Sequence, residues 1–374
     1  MHYFIYPSKD SWISSGSNPI TGITELDQNF GQDEILDLKK VFENDTFKYQ
    51  TRVLVQFDLS EVSASVVKGS ITNPKYFLRL YEAQGNSNIS TEYKLAAFPI
   101  SQSWDEGRGK FGDNPKVTNG CSWENRSYPD SGNAVTWSSN AGVQLYGGAI
   151  ATGSTFEESQ SFSYETPDIN MNVTDIVNGW FDGTINSGNN HGFLLRFSGS
   201  QETDESTFGG FKFFSKQTNT IYAPKLEVRW DDHLPCTGSN TGSLSALDLT
   251  GASDIYLYPK YLAESYKENE KVKFRFGARK QYIQKSFSTS VQTISGSYIP
   301  EGSGSYSIMD IATGETIVPF SAYTSMSCDS TSPYFIQWMD TFTPDRVYKI
   351  LLKLKYDDGQ ERIFDNDFEF KVRR

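Results

Sequence analysis

Alternation of apolar and polar positions dominates the chain. In TRVLVQFDL, Val53, Val55, Phe57 and Leu59 fall on one face and Arg52, Gln56 and Asp58 on the other, the period of a half-buried strand. KLEVRW repeats it with Leu226, Val228 and Trp230 against Lys225, Glu227 and Arg229. KYFLRLY and GFLLRF carry apolar residues on both faces, as strands covered on two sides do. One stretch departs from this period. In NVTDIVNGWF, Val173, Ile176, Val177 and Trp180 recur at helical spacing, so one short amphipathic helix is predicted there, packed over an end of a β-sandwich. Asn172 or Thr174 is placed to cap its start, and Gly183 follows its end.

Between Trp230 and Ile255 small polar residues replace any sustained period, so the predicted organisation is one domain over 1–232, a linker over 233–252 and a second domain over 253–374. Alternation resumes in EKVKFRF, with Val272, Phe274 and Phe276 opposite Lys273 and Arg275, and in VYKILLKLKY, with Tyr348, Ile350, Leu352 and Leu354 on one face. YDDG at 356–359 supplies an Asp-Gly turn before the last strand, DFEFKV. About seven short strands in this stretch suit an immunoglobulin-like β-sandwich, though without the Cys…Trp…Cys pin of antibody domains. No repeat at solenoid or propeller period is visible.

Composition refines this all-β picture. Aromatics make up 14% of residues, with 26 Phe and 21 Tyr, enough for rings to fill two cores and to argue against disorder. The formal net charge of −12 argues against binding nucleic acid, whose phosphates need clustered cations, and against an anionic membrane surface. No stretch has the length of apolar residues that a membrane span needs, and MHYFIYPSKD lacks the apolar centre of a signal peptide. The three cysteines, Cys121, Cys236 and Cys328, are odd in number and far apart, and read as structural thiols folded in a reducing compartment.

Candidate chemistry is sparse. His2, His191 and His233 are the three histidines; no GxSxG elbow accompanies them, and His191 sits in the loop NSGNNHG, which reads as solvated turn. No catalytic residue, zinc set or phosphate-cradling glycine loop is assigned. Among 46 Asp and Glu residues some pair falls at glycosidase spacing by chance. DDH at 231–233 and DNDFE at 365–369 offer oxygen ligands for a structural calcium, yet ordinary turns are the favoured reading and no cofactor is called. Trp104, Trp123 and Trp137 lie in polar, loop-like surroundings; these are the candidates for stacking on a sugar, although buried hydrophobic anchors are the favoured reading for them. Trp180, on the helical stripe, reads as core.

Several segments taken in order carry a family resemblance over residues 1–232. DSWISSG at 10–16, NFGQDEILDL at 29–38, TRVLVQFDLS at 51–60, SQSWDEG at 101–107, VTW at 135–137, NVTDIVNGWFDG at 172–183, GFLLRF at 192–197, FKFFS at 211–215 and APKLEVRW at 223–230 resemble the DNRLRE family, jelly-roll modules related to carbohydrate-binding modules. That resemblance implies an antiparallel two-sheet jelly roll with one short helix. YKENEKVKFRFGARKQYIQKSF at 266–287 is similar to accessory β domains of tailed-bacteriophage virion proteins. A secretion-type module without a leader, holding unpaired thiols and no catalytic set, is expected in a virion: a non-enzymatic component of tail, neck or capsid surface. Such a protein folds in the host cytoplasm and acts through contacts with other virion proteins at many copies. The alternative is a carbohydrate-binding module that attaches to a host or environmental polysaccharide.

Overall fold

Strands account for almost all regular structure in the computed structural model, which describes residues 1–19, 22–43, 46–84, 93–139, 141–153, 156–162, 168–250, 254–282, 287, 289–290 and 296–374. The chain divides into two units. The larger is Ile5–Ser70 with Lys75–Val228; the smaller is Met1–Phe4, Ile71–Pro74 and Arg229–Arg374. Strand pairing is mostly antiparallel, and the smaller unit also holds two short parallel pairs, Ser245–Ala246 with Ser297–Tyr298 and Ser265–Lys267 with Lys371–Arg373.

In the larger unit, the strand Thr46–Phe57 is central. It pairs with Pro7–Ser14, Ile35–Glu43 and Phe193–Phe197, and the sheet continues outward through Tyr93–Pro99 to Glu158–Phe162 on one side and through Gly209–Phe214 to Glu82–Gln84 on the other. This sheet curls. Phe162 and Phe211 lie five strands apart, about 24 Å in a flat sheet, yet their ring centroids are 5.4 Å apart. Tyr93 also meets Phe211 at 5.3 Å, so the curl is filled by rings. Val53, Val55 and Phe57 are buried, and so is Leu54 of the opposite parity, because this strand is covered on both sides. A second sheet holds Lys225–Arg229, Lys75–Leu80 and Ile169–Asn172, and a small third one Asn125–Ser127, Val135–Ser138 and Gln144–Leu145.

The helix expected from the Val173, Ile176, Val177, Trp180 stripe spans Thr174–Phe181, and all four stripe residues are buried. Trp180 meets Phe193 edge-on at 5.0 Å. Asn172 Oδ1 accepts from the Thr174 N–H at 3.1 Å and the Thr174 hydroxyl at 2.6 Å, and Gly183 follows with φ +82°. The expectation of a single helix needs correction: Ser60–Val67 forms a second one. Its sequence SEVSASVV is rich in valine and buries only Val62, so no apolar stripe marks it. It is launched by the Asp58 carboxylate, which accepts the Ser60 N–H at 2.9 Å.

The smaller unit has two sheets. One contains Ser245–Ala246, Ile255–Lys260, Lys271–Lys280, Ser297–Tyr298, Ser327–Cys328 and Pro333–Trp338; the other contains Ser265–Lys267, Gly304–Asp310, Thr316–Val318, Val347–Lys355 and Glu361–Arg373. Their inward rings interdigitate: Phe274 lies 5.1 Å from Phe370, Phe276 5.5 Å from Phe368, and Tyr306 stacks on Phe335 at 3.8 Å. The stretch expected as a linker is packed into this unit over its described part, 233–250. Cys236, Leu247 and Leu249 are buried, and Leu247 N–H donates to the Tyr298 carbonyl at 2.9 Å. Three widely spaced apolar side chains hold it, which is why its composition reads as linker. Residues 251 and 252, and 283–286 of the virion-like segment, lie outside the described residues.

Candidate functional site

The three tryptophans proposed for sugar stacking converge. Trp104, Trp123 and Trp137 form one buried cluster with Ile13, Leu54, Ile100, Cys121, Ala149 and Leu194. Trp104 and Trp137 are 1% and 0% exposed and Trp123 8%, so none presents a free ring face. Each ring is also covered or tethered by a polar partner. Trp104 Nε1 donates to the His191 carbonyl at 2.8 Å beneath the Lys9 ammonium, 4.7 Å from its ring. Trp137 Nε1 donates to the Ser122 carbonyl at 3.0 Å, and the Arg52 guanidinium lies 4.9 Å over Trp123. An indole buries a large apolar body while its N–H fixes a loop carbonyl, and these indoles fix irregular chain.

That irregular chain walls a cavity of about 1050 Å³. The hydroxyls of Ser101, Ser139, Thr152 and Thr184 and the amides of Asn186 and Asn189 belong to lining residues, with Arg52, Arg196 and His191. One wall is the turn after the Thr174–Phe181 helix. Asn186 and Ser187 both have φ +51°, a left-handed backbone that costs on the order of 1–3 kcal/mol per non-glycine residue unless its surroundings impose it. They do so here. Asn186 Nδ2 donates to the Ile100 carbonyl at 2.7 Å, Asn189 Nδ2 to the Asn186 carbonyl at 2.8 Å, and Ile185 N–H to the Gly179 carbonyl at 2.8 Å. Another part of the wall follows Trp137: Gln102 Nε2 donates to the Ser138 carbonyl at 2.6 Å and its Oε1 accepts the Ser138 N–H at 3.2 Å.

Two cations and one buried anion set the electrostatics. Arg52 Nε donates to Glu202 Oε1 at 2.8 Å, Arg52 Nη1 donates to the Gly147 carbonyl, and Arg196 pairs with Glu202 Oε2. Burial pulls Arg52 down to about 10, still protonated at neutral pH, and lowers Arg196 as well, with repulsion from Arg52 adding to it. Burial, with Lys9 and Arg126 nearby, holds His191 below its ordinary value, so it is a neutral hydrogen-bonding group at pH 7. The described lining contains no carboxylate, and the cavity therefore offers donors and acceptors for hydroxyl groups but no acid–base pair of the glycosidase kind.

Residues 2–144 match the model of carbohydrate-binding module family 96. No curated protein matches the chain. The larger part of the described residues thus begins with a carbohydrate-binding-module-like region, and that region supplies Arg52, Ser101, Ser138, Ser139 and Ala141 to the cavity and all three tryptophans beneath it. The remaining wall, 145–196, lies beyond the matched residues.

The other candidates have local partners. Asp231 accepts the His233 N–H at 3.0 Å, His233 Nε2 meets Glu301 at 2.7 Å, and Lys349 reaches Asp365 at 3.1 Å and Asp367 at 3.0 Å. His2 Nε2 lies 3.0 Å from the Ser321 hydroxyl. Among the described residues no group of three or more His, Cys, Asp or Glu side chains converges as for a metal, and no helix is long and apolar enough to cross a membrane. Sequence reasoning passed over Ser139, Asn186 and Asn189. The available signal is the run NSGNNHG, whose Asn and Gly residues suit left-handed backbone; it is a turn, as its sequence implies, and that turn forms a wall.

Proposed function

We propose that the protein binds carbohydrate without turning it over, and that the cavity above the tryptophan cluster receives the sugar. The observation that carries this is the match of residues 2–144 to a carbohydrate-binding module family. The lining supports it: its described residues carry hydroxyls, amides and two arginines but no carboxylate, and such donors and acceptors exchange well with the hydroxyls of a polyol. In this reading the larger unit is a jelly roll of the DNRLRE type and the smaller an immunoglobulin-like sandwich. The virion role expected from the sequence has no observation in its favour here, and polysaccharide attachment takes its place as the conclusion.

A polysaccharide array followed by calorimetry tests it. Binding to at least one glycan, without release of reducing ends or unsaturated products, is expected. Ala141→Trp, at an exposed position of the rim, is expected to weaken that binding at least tenfold at an unchanged melting temperature. Failure to retain any polysaccharide, or product release from one, overturns the proposal.

A further inference from the structure

The segment that crosses the smaller unit from Arg229 brings two distant cysteines together. Leu234 N–H donates to the Ser327 hydroxyl at 3.0 Å, and Cys236 Sγ approaches the Met326 carbonyl at 3.5 Å, so 234–236 runs against 326–328. Glu301 Oε2 accepts the Cys236 N–H at 2.6 Å and fixes that residue from the other side. Cys236 and Cys328 are 3% and 1% exposed, both are free thiols, and each influences the other's titration, as neighbouring thiols do. Neighbouring thiols on adjacent, anchored segments close to a disulfide by side-chain rotation when their Cα atoms lie within about 7 Å.

We infer that Cys236 and Cys328 are a latent cross-link site, closing to a disulfide when the chain folds in the presence of a small-molecule disulfide such as oxidised glutathione. One cysteine thiolate attacks the small disulfide, forming a mixed disulfide and expelling one small thiolate. The second cysteine then displaces the other. A sulfur–sulfur bond forms in the protein, the two cysteines give up two protons and two electrons, and the small disulfide is reduced to two thiols. Burial raises both cysteines above their ordinary values, so the folded form exchanges slowly and the bond is made as 234–236 docks. The closed loop spans residues 236 to 328 and ties the supposed linker to the sheet. Cys121, fully buried in the larger unit, is the internal control. This inference does not depend on sugar binding.

The test refolds the full chain from denaturant in a glutathione redox buffer, quenches with an alkylating agent and maps the peptides without reduction. One cross-link between the Cys236 and Cys328 peptides is expected, with the three alkylatable thiols of the reduced chain falling to one, that of Cys121. Its melting temperature is expected to exceed that of the reduced chain, a difference abolished in Cys236→Ser and retained in Cys121→Ser. Three alkylatable thiols after refolding, or a bond involving Cys121, overturns the inference; because the map is read on the unaltered sequence, misfolding of a variant does not affect it.

Discussion

Both units are built on aromatic rings, but the rings enter in different ways. In the smaller unit Phe274, Phe276, Phe335, Phe368 and Phe370 stand at alternate positions of strands and meet rings of the facing sheet. They carry no polar atom, and what they contribute is area and close packing. In the larger unit Trp104, Trp123 and Trp137 come from loops and a short strand, and two of them donate to loop carbonyls, of His191 and Ser122. A strand core can be repacked with other large apolar residues at modest cost. An indole that also holds a carbonyl ties stability to the shape of the loops, and here to the cavity above.

Truncating one ring from each core separates these roles and carries the largest expected effect. Trp137→Ala and Phe335→Ala are each expected to cost roughly 3–5 kcal/mol in denaturant melts. At a temperature where both variants are folded, Trp137→Ala is also expected to weaken polysaccharide binding at least tenfold, since Ser138 and Ser139 follow it along the wall, whereas Phe335→Ala leaves binding unchanged. Equal binding by the two variants breaks the distinction.

The same contrast explains how much was legible in the sequence. Strand-borne rings alternate, so the faces of 271–276 and 348–354 were readable, and so was the helix with Trp180 on its stripe. These tryptophans have no period, so their polar neighbours left sugar stacking open beside the favoured reading as buried anchors; what holds them lies elsewhere in the chain, since the partners of Trp104 and Trp137, His191 and Ser122, are 87 and 15 residues away. The Ser60–Val67 helix escaped for a local reason, since a helix with one buried valine leaves no stripe. Cys236 and Cys328 could not be paired by spacing, because their contact exists only after the segment from Arg229 has docked.

One acid from each unit shows a second contrast. Burial pushes Asp10 of the larger unit up to about 7, with Glu106 nearby raising it further, although it accepts the Lys216 N–H at 2.6 Å; burial also lifts Asp33 to about 6. In the smaller unit the bidentate Arg275 guanidinium, at 2.7 and 2.8 Å, holds Asp329 below the ordinary range. The signs are opposite. Between pH 3.8 and about 7 folded Asp10 keeps a proton that the unfolded chain has lost, so its contribution to stability falls as pH rises, by at most about 1.4 kcal/mol per pH unit. The Asp329 contribution is present above pH 3.8 and disappears as pH falls through its lowered value. His191, titrating below its ordinary value, opposes Asp10 below pH 6.5, so the readout is each variant against its parent. Asp10→Asn is expected to gain relative stability from pH 4 to 8. Asp329→Asn is expected to be less stable than the parent at neutral pH and to approach it only in strong acid. Parallel pH trends for the two differences in chemical melts exclude this account.

The smallest expected effect sharpens the comparison most, because it begins from equal backbone strain. Gly183 closes the Thr174–Phe181 helix with φ +82°, and Gly359 closes the hairpin between Val347–Lys355 and Glu361–Arg373 with φ +86°. A Cβ added at either meets nothing within 4 Å, so alanine costs only the left-handed backbone, about 1 kcal/mol at each site. Melting curves of Gly183→Ala and Gly359→Ala are therefore expected to shift by similar amounts. Their consequences for binding are not. Gly183 lines the cavity and leads into Thr184, Asn186 and Asn189, so relaxing its strain moves the wall; Gly359 serves a turn whose work ends with the Tyr356 N–H donating to the Gln360 carbonyl at 2.8 Å. A several-fold loss of polysaccharide affinity in Gly183→Ala, with none in Gly359→Ala, is the expected result by calorimetry. If both variants bind as the parent does, the turn after the helix is scaffold alone, and the sugar lies against the wall that follows Trp137.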